Sequence, residues 1–410
     1  MLAKIAYAGG DTKSFAKGGQ QLARLAELTI TGRHVGRLTT LLGEELVQAR
    51  DQEVAAYRRR ELTPQVGNVP QAVAVETDGG RVHTRVPDHG PGVHEPHWRE
   101  DKIGFLATLE GQEHASDPHA EVPCCYLDQK HVCQLVQEIH GMGGASPENA
   151  ENAEKARETT CAAERDNAVP ELAATEEKTA RKPRWQPKRL VRTVVATLQD
   201  VHAFGPMVAA EAQRRNFFAA ARAAFVGDGQ ASNWTLQRTW FPEFIAIADF
   251  VHALTYIYES ARASTTGSDE FWPTYVRWLT ALWEGRVAEV SADLAALVEP
   301  LRAQRDPSSQ DQQRLTALEK GLTYLQNNAS RMDYPRYRRL GLPIVSALVE
   351  SLIKEMNWRV KGSEKFWNDP AGAEPILQVR AALLSDDDRL ARHLQNRPGN
   401  AYRRQRTQAA

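Results

Sequence analysis

Cysteine is scarce in this chain, with four in 410 residues, and Cys124, Cys125, Cys133 and Cys161 all fall in one polar stretch. So sparse a set excludes a disulfide framework and leads us to expect a reducing, cytoplasmic compartment. Long apolar runs are missing too. Stretches such as residues 244–248 are far too short to span a bilayer, and the opening MLAKIAYAGGDTKSF has no apolar segment before a small-residue cleavage site. The expectation is a chain that neither crosses a membrane nor is secreted. Nor is there an excess of charge: 51 Lys plus Arg stand against 52 Asp plus Glu, a formal net charge of -1. No global positive field advertises nucleic acid, so any basic surface must be local. What is present is 42% hydrophobic and 25% charged residues, a globular composition that rules out full-length disorder.

The periodicity divides the chain. Within residues 1–66, Leu22, Leu25, Leu28, Val35, Leu38, Leu41, Leu42 and Leu46 recur at helical steps, which predicts a small helical module, and its arginines make it a candidate for DNA binding. From 67 to 251 the pattern is α/β. Val73, Val75 and Thr77 alternate, then Val82, Thr84 and Val86 after Gly79-Gly80, then Ile103, Phe105 and Ala107, read as three consecutive antiparallel strands with a turn at the glycines. An Ala- and Glu-rich stretch within about 141–185 has too little apolar surface to offset its ordering entropy and reads as a flexible insertion. After it come a strand at 190–198, a helix at 208–218, and strands at 223–226 and 244–248. Residues 252–335 read as all helical, with Trp278, Leu282, Val287, Val290, Leu294, Leu297 and Leu301 on one face. Residues 336–385 carry two further helices, and 386–410 form a basic, flexible tail.

Carboxylates mark the strand tips. Asp78 precedes Gly79-Gly80, and Asp228 lies between Gly227 and Gly229; each alone reads as a turn aspartate. A third, Glu350, stands on an apolar helix with Ile344, Val345, Leu348, Val349, Leu352 and Ile353. Convergent carboxylates suit hard cations such as Mg2+, and two such ions can activate a water or 3′-hydroxyl during phosphodiester transfer. Strand order and carboxylate placement together suggest an RNase H-like mixed sheet acting on nucleic acid. Cys124, Cys125, His131 and Cys133 match structural zinc spacing poorly and read as inert thiols. Trp234, Trp272, Trp278 and Trp283 read as core.

VETDGGRVHTR (75–85), WREDKIG (98–104), VGDGQASNW (226–234), FPEFIAIADFVHAL (241–254) and the run from Arg331 through RMDYPRYRRLGLPIVSALVESLIKEMNWRVKG resemble the DDE transposases of the ISKra4 insertion-sequence family, relatives of Mutator-type transposases. The resemblance runs from the first helices to near residue 385. It implies an RNase H-like core with an all-α insertion before the catalytic glutamate helix, and a metal-binding triad of Asp78, Asp228 and Glu350 holding Mg2+ or Mn2+ as two ions. It also implies an Asp-x-x-His signature at Asp249 and His252. DNA, both transposon ends and target, and a homo-oligomer on that DNA are the implied partners, with the protein at the nucleoid. The family has Gly-Ser-Gly before its glutamate helix, where Val345, Ser346 and Ala347 stand here. The alternative is a transposase-derived protein that binds DNA without cutting it.

Arg338, Arg339, Arg359 and Lys361 flank the glutamate helix and are expected to contact DNA phosphates as one solvent-facing strip. Arg33, Arg37, Arg58, Arg59 and Arg60 offer a second basic surface among the first helices. Glu355 is the reserve third carboxylate.

Overall fold

The structure, a computed structural model, describes residues 1–85, 97–143, 187–265, 270–361 and 367–397. Two compact units divide the chain: Met1–Ala115, Gln186–Asp249 and Arg339–Ala410 in the first, Ser116–Trp185 and Phe250–Arg338 in the second.

The first unit is α/β. Strands β1 (Ala72–Arg85), β2 (His97–Glu110), β3 (Lys188–Thr197), β4 (Arg222–Gly227) and β5 (Ile245–Ala248) form a mixed sheet in the order β3-β2-β1-β4-β5. β2 runs antiparallel to β1 and β3, while β1, β4 and β5 are mutually parallel neighbours; the short β6 (Trp367–Asn368) pairs with the far end of β1. Numbered along the whole chain, the helices of this unit are α1 (Leu2–Asp11), α2 (Phe15–Ala26), α3 (Gly32–Arg58), α5 (Val201–Arg214), α6 (Ala231–Trp240), α12 (Ala347–Val360), α13 (Asp369–Leu384) and α14 (Arg389–Asn396).

Period-two patterning gives the sheet one apolar face. Ala72, Ala74 and Val82 of β1, Ile103, Phe105, Ala107 and Leu109 of β2, and Val194 and Ala196 of β3 pack against Val349, Leu352, Met356 and Val360 of α12 and Ile376, Leu377 and Ala381 of α13. Truncating one of these large side chains to alanine removes about 2–5 kcal/mol. α5 lies on the opposite face, where a Cβ on Gly104 would meet Val208 at 3.1 Å. Its start is capped by Asp200, which accepts from Ala203 N at 2.9 Å.

One expectation fails instructively. Gly79-Gly80 is no turn: β1 is one strand of 14 residues, paired with β2 on both sides of the glycines, with Asp78 opposite Ile103 and Gly80 opposite Asp101. Glycine serves here to vacate space, since a Cβ on Gly80 would lie 2.6 Å from Asp101 Oδ1. Asp78 is therefore mid-strand, and Val86 of the expected second strand lies outside the described residues. Most of the Ala- and Glu-rich stretch does so too.

The first three helices form as expected and pack within the first unit. Ile5, Ala8, Leu22 and Val35 make one cluster, and Ala6 and Leu42 join Ala382 and Leu390 in another. α3 and α13 meet backbone to backbone: a Cβ on Gly43 would collide with the Pro375 carbonyl. The basic tail is helical over Arg389–Asn396, and Arg397 pairs with Glu45 at 2.5 Å. Residues 398–410 lie outside the described part.

The second unit is helical where described: α4 (Gln129–Gly143), α7 (Phe250–Ser264), α8 (Phe271–Trp283), α9 (Val287–Arg302), α10 (Ser309–Asn328) and α11 (Tyr334–Arg339), whose final residue, Arg339, is counted in the first unit. Trp278, Leu282, Trp283, Val290, Leu294, Leu318 and Leu325 are buried. The Phe250 ring meets Trp283 and Tyr334 edge-on, at 4.9 and 5.2 Å. Ser308 caps α10 by accepting from Asp311 N. Among the described residues no helix is long and apolar enough to cross a membrane.

Candidate functional site

Asp78 and Asp228 stand on neighbouring parallel strands. Glu76 of β1 is in register with Val226 of β4, so two residues further on Asp78 and Asp228 reach the same level. Both are half-buried. Asp78 Oδ1 accepts from Gly79 N at 2.6 Å. Asp228 follows β4 directly and shapes the turn into α6, its Oδ1 accepting from Gln230 N at 3.0 Å and from Asn233 Nδ2 at 2.9 Å. Asn233 Oδ1 in turn accepts from Thr77 Oγ1 at 3.1 Å, which ties the turn back to β1.

Glu350 lies in the first turn of α12, and the start of that helix is held by two buried carboxylates. Asp249, at the end of β5, accepts from both the backbone amide and the hydroxyl of Ser346. Glu76 Oε2 accepts from Val349 N at 3.0 Å. Anions at a helix N-terminus satisfy amides that have no partner within the helix and meet the positive end of its dipole. Ser346 thus fixes the helix entry by hydrogen bonding to Asp249. Asp249 and Glu350 each offer a carboxylate oxygen within 4.8 Å of the other. His252 follows Asp249 by three residues, half-buried in the first turn of α7, the opening helix of the second unit.

Glu76 is the residue that reading the sequence passed over. Burial, reinforced by Asp249 and Glu350 and opposed by the Val349 amide, holds its carboxyl well above the ordinary glutamate range. The signal was available: Ala72, Ala74, Glu76 and Asp78 share one face by strand alternation, so a glutamate sits where the apolar series should continue.

The expected basic strip divides. Arg338 is buried, its Nε donating to Asp117 Oδ1 at 3.0 Å and its guanidinium lying 4.0 Å from the Trp283 ring centre. Arg359 is buried as well, donating to the Gly9 carbonyl at 2.7 Å and stacking on Phe15; burial, with Arg380 nearby, lowers its pKa to about 10. Arg339 and Lys361 are exposed. Two of the four side chains are therefore internal braces and not a phosphate surface. Arg33, Arg37, Arg58, Arg59 and Arg60 are all exposed. Glu355, the reserve carboxylate, is engaged by Arg192 at 2.8 and 3.0 Å. Trp234, Trp278 and Trp283 are core, while Trp272 is half-buried and stacked on Tyr275. Cys124 and Cys125 are exposed, and Cys161 lies outside the described residues.

No protein-family model matches the chain, and no curated protein matches it in sequence.

Proposed function

We propose that the first unit is the RNase H-like catalytic core of a DDE transposase, of the ISKra4 kind, which cuts the ends of an insertion sequence and joins them to target DNA. The observation that carries this reading is the levelling of Asp78 and Asp228 on adjacent parallel strands, on a sheet covered by the helix that bears Glu350. The order β3-β2-β1-β4-β5 with only β2 reversed supports it, as do the family-like motifs. An all-carboxylate donor set fits a hard divalent ion, Mg2+ or Mn2+, and Asp249 beside Glu350 adds to it. When bound, such ions supply activation of the attacking water or 3′-hydroxyl and stabilise the leaving oxygen. The chain's own part is to fix the carboxylates: Asn233 and Gln230 orient Asp228, and Ser346 with Glu76 and Asp249 sets the angle of the glutamate helix.

The direct test incubates the purified protein with labelled duplexes that carry the ends of the element encoding it. Mg2+-dependent cuts at those ends are expected. Specific binding without cutting under Mg2+ or Mn2+ would overturn the catalytic reading in favour of a DNA-binding relative, and neither binding nor cutting would overturn both.

Binding to the polyanion then falls to exposed cations. Neutralising Arg339 and Lys361 together is expected to weaken random and specific duplexes alike and to flatten the log-log salt dependence by roughly one to two units. Replacing Arg338 or Arg359 should instead lower thermal stability. A salt titration beside a melting curve for each variant checks this; an unchanged slope for the first pair would make those two residues a solvated face.

A further inference from the structure

Asp101 is a buried carboxylate that the triad does not account for. It sits on β2 opposite Gly80, diagonal to Asp78 on the same sheet face, with no exposed surface, and neither oxygen has a hydrogen-bond partner from another residue. Its side chain occupies the space that the missing Cβ of Gly80 leaves. An isolated ionised carboxylate is costly to bury, and proteins retain one where a counter-charge or metal completes it. Burial, added to by Glu100 and Asp78 and offset by Lys361, pushes the Asp101 carboxyl up to about 6. Lys361, whose charge offsets that rise, is exposed, its Nζ 5.8 Å from the Trp98 ring centre.

We infer that Asp101 is a further ligand for a divalent cation held with Asp78, the glycine at position 80 serving to let the two carboxylates share it. This rests on the reading of Asp78 as a metal ligand. Half-buried Asp78 supplies the face open to water, which suits an ion that keeps several waters; Asp101 supplies the inner oxygens.

The test is Mn2+ binding to the full chain without DNA, by electron paramagnetic resonance of free Mn2+ and by the thermal shift that Mn2+ produces. Asp101→Asn, close to isosteric, is expected to weaken Mn2+ binding about tenfold or more. Without metal its melting temperature should equal or exceed that of the wild type, because a buried charge is gone. A merely structural aspartate would instead lower the metal-free melting temperature and leave the affinity alone, and that result would overturn the inference. Asp101→Ser serves the same purpose if the asparagine variant folds poorly, and Glu100→Gln, the exposed neighbour, controls for charge. Wild-type affinity in Asp101→Asn with weakened affinity in Asp78→Asn would sink the inference alone. Wild-type affinity in both would sink the metal reading of Asp78 with it.

Discussion

Asp228→Asn is expected to reduce Mg2+-dependent strand cleavage by about a thousandfold or more while leaving affinity for element ends largely intact. The magnitude follows because removing a metal-binding charge forfeits several kcal/mol of transition-state stabilisation. Asparagine is the informative choice: it keeps an oxygen to accept from the Gln230 amide and Asn233, so the turn survives and only the charge is lost. Asp78→Asn and Glu350→Gln should behave alike. Retention of binding follows because phosphate contacts come from exposed cations elsewhere. Cleavage kept by Glu350→Gln would move the third carboxylate to Asp249 or Glu76, since Glu355 is already committed to Arg192. Single-turnover cleavage and a filter-binding titration, run on the same preparations, decide it.

A second large effect is expected at Glu211, far from any proposed chemistry. Its carboxylate is buried on α5 between Arg214, at 2.8 and 3.1 Å, and Arg389, at 2.7 Å; Asp387 bridges the same two guanidinium groups at 3.0 and 2.8 Å. Burial alone would raise the Glu211 pKa, but Arg389 and Arg214 overcome it and hold it far below the ordinary glutamate range. Glu211→Ala leaves Asp387 alone to balance two guanidinium groups, and breaking a buried pair in this way costs about 3–5 kcal/mol. The pH dependence has a definite sign. A group whose pKa is depressed on folding stabilises fully above its unfolded value, about 4.3, and loses that contribution as pH falls toward the folded value. Chemical denaturation of wild type and variant should therefore differ by a constant amount from pH 7 to about 5, with the gap closing below about 4.3. A gap under about 1 kcal/mol at pH 7 would mean that the network adds little beyond surface pairing.

Much of the architecture was legible because it follows from period. β3, β4 and β5, the long helical stretch and the glutamate helix all lie close to where alternation or three-to-four-residue spacing put them. What escaped depends on partners distant in sequence. Gly79-Gly80 has the local signature of a turn, and only the pairing of Gly80 with Asp101 keeps the strand going. Glu76 escaped because its reason for being buried, the Val349 amide, arrives 273 residues later. Arg338 and Arg359 look like surface charge in any local window. The rings that take them inside, Trp283 for one and Phe15 for the other, come from other elements.

The seating of the first three helices against α13 and α14 has a consequence for how the chain is made. Leu42 and Ala6 meet Ala382 and Leu390, and Glu45 waits for Arg397. During synthesis those partners emerge on the order of tens of seconds after the helices do, at roughly 5–20 residues per second. The three earlier helices are thus completed only by helices made hundreds of residues later. Until then their apolar stripe stands open, and α13 and α14 act as the latch that closes it.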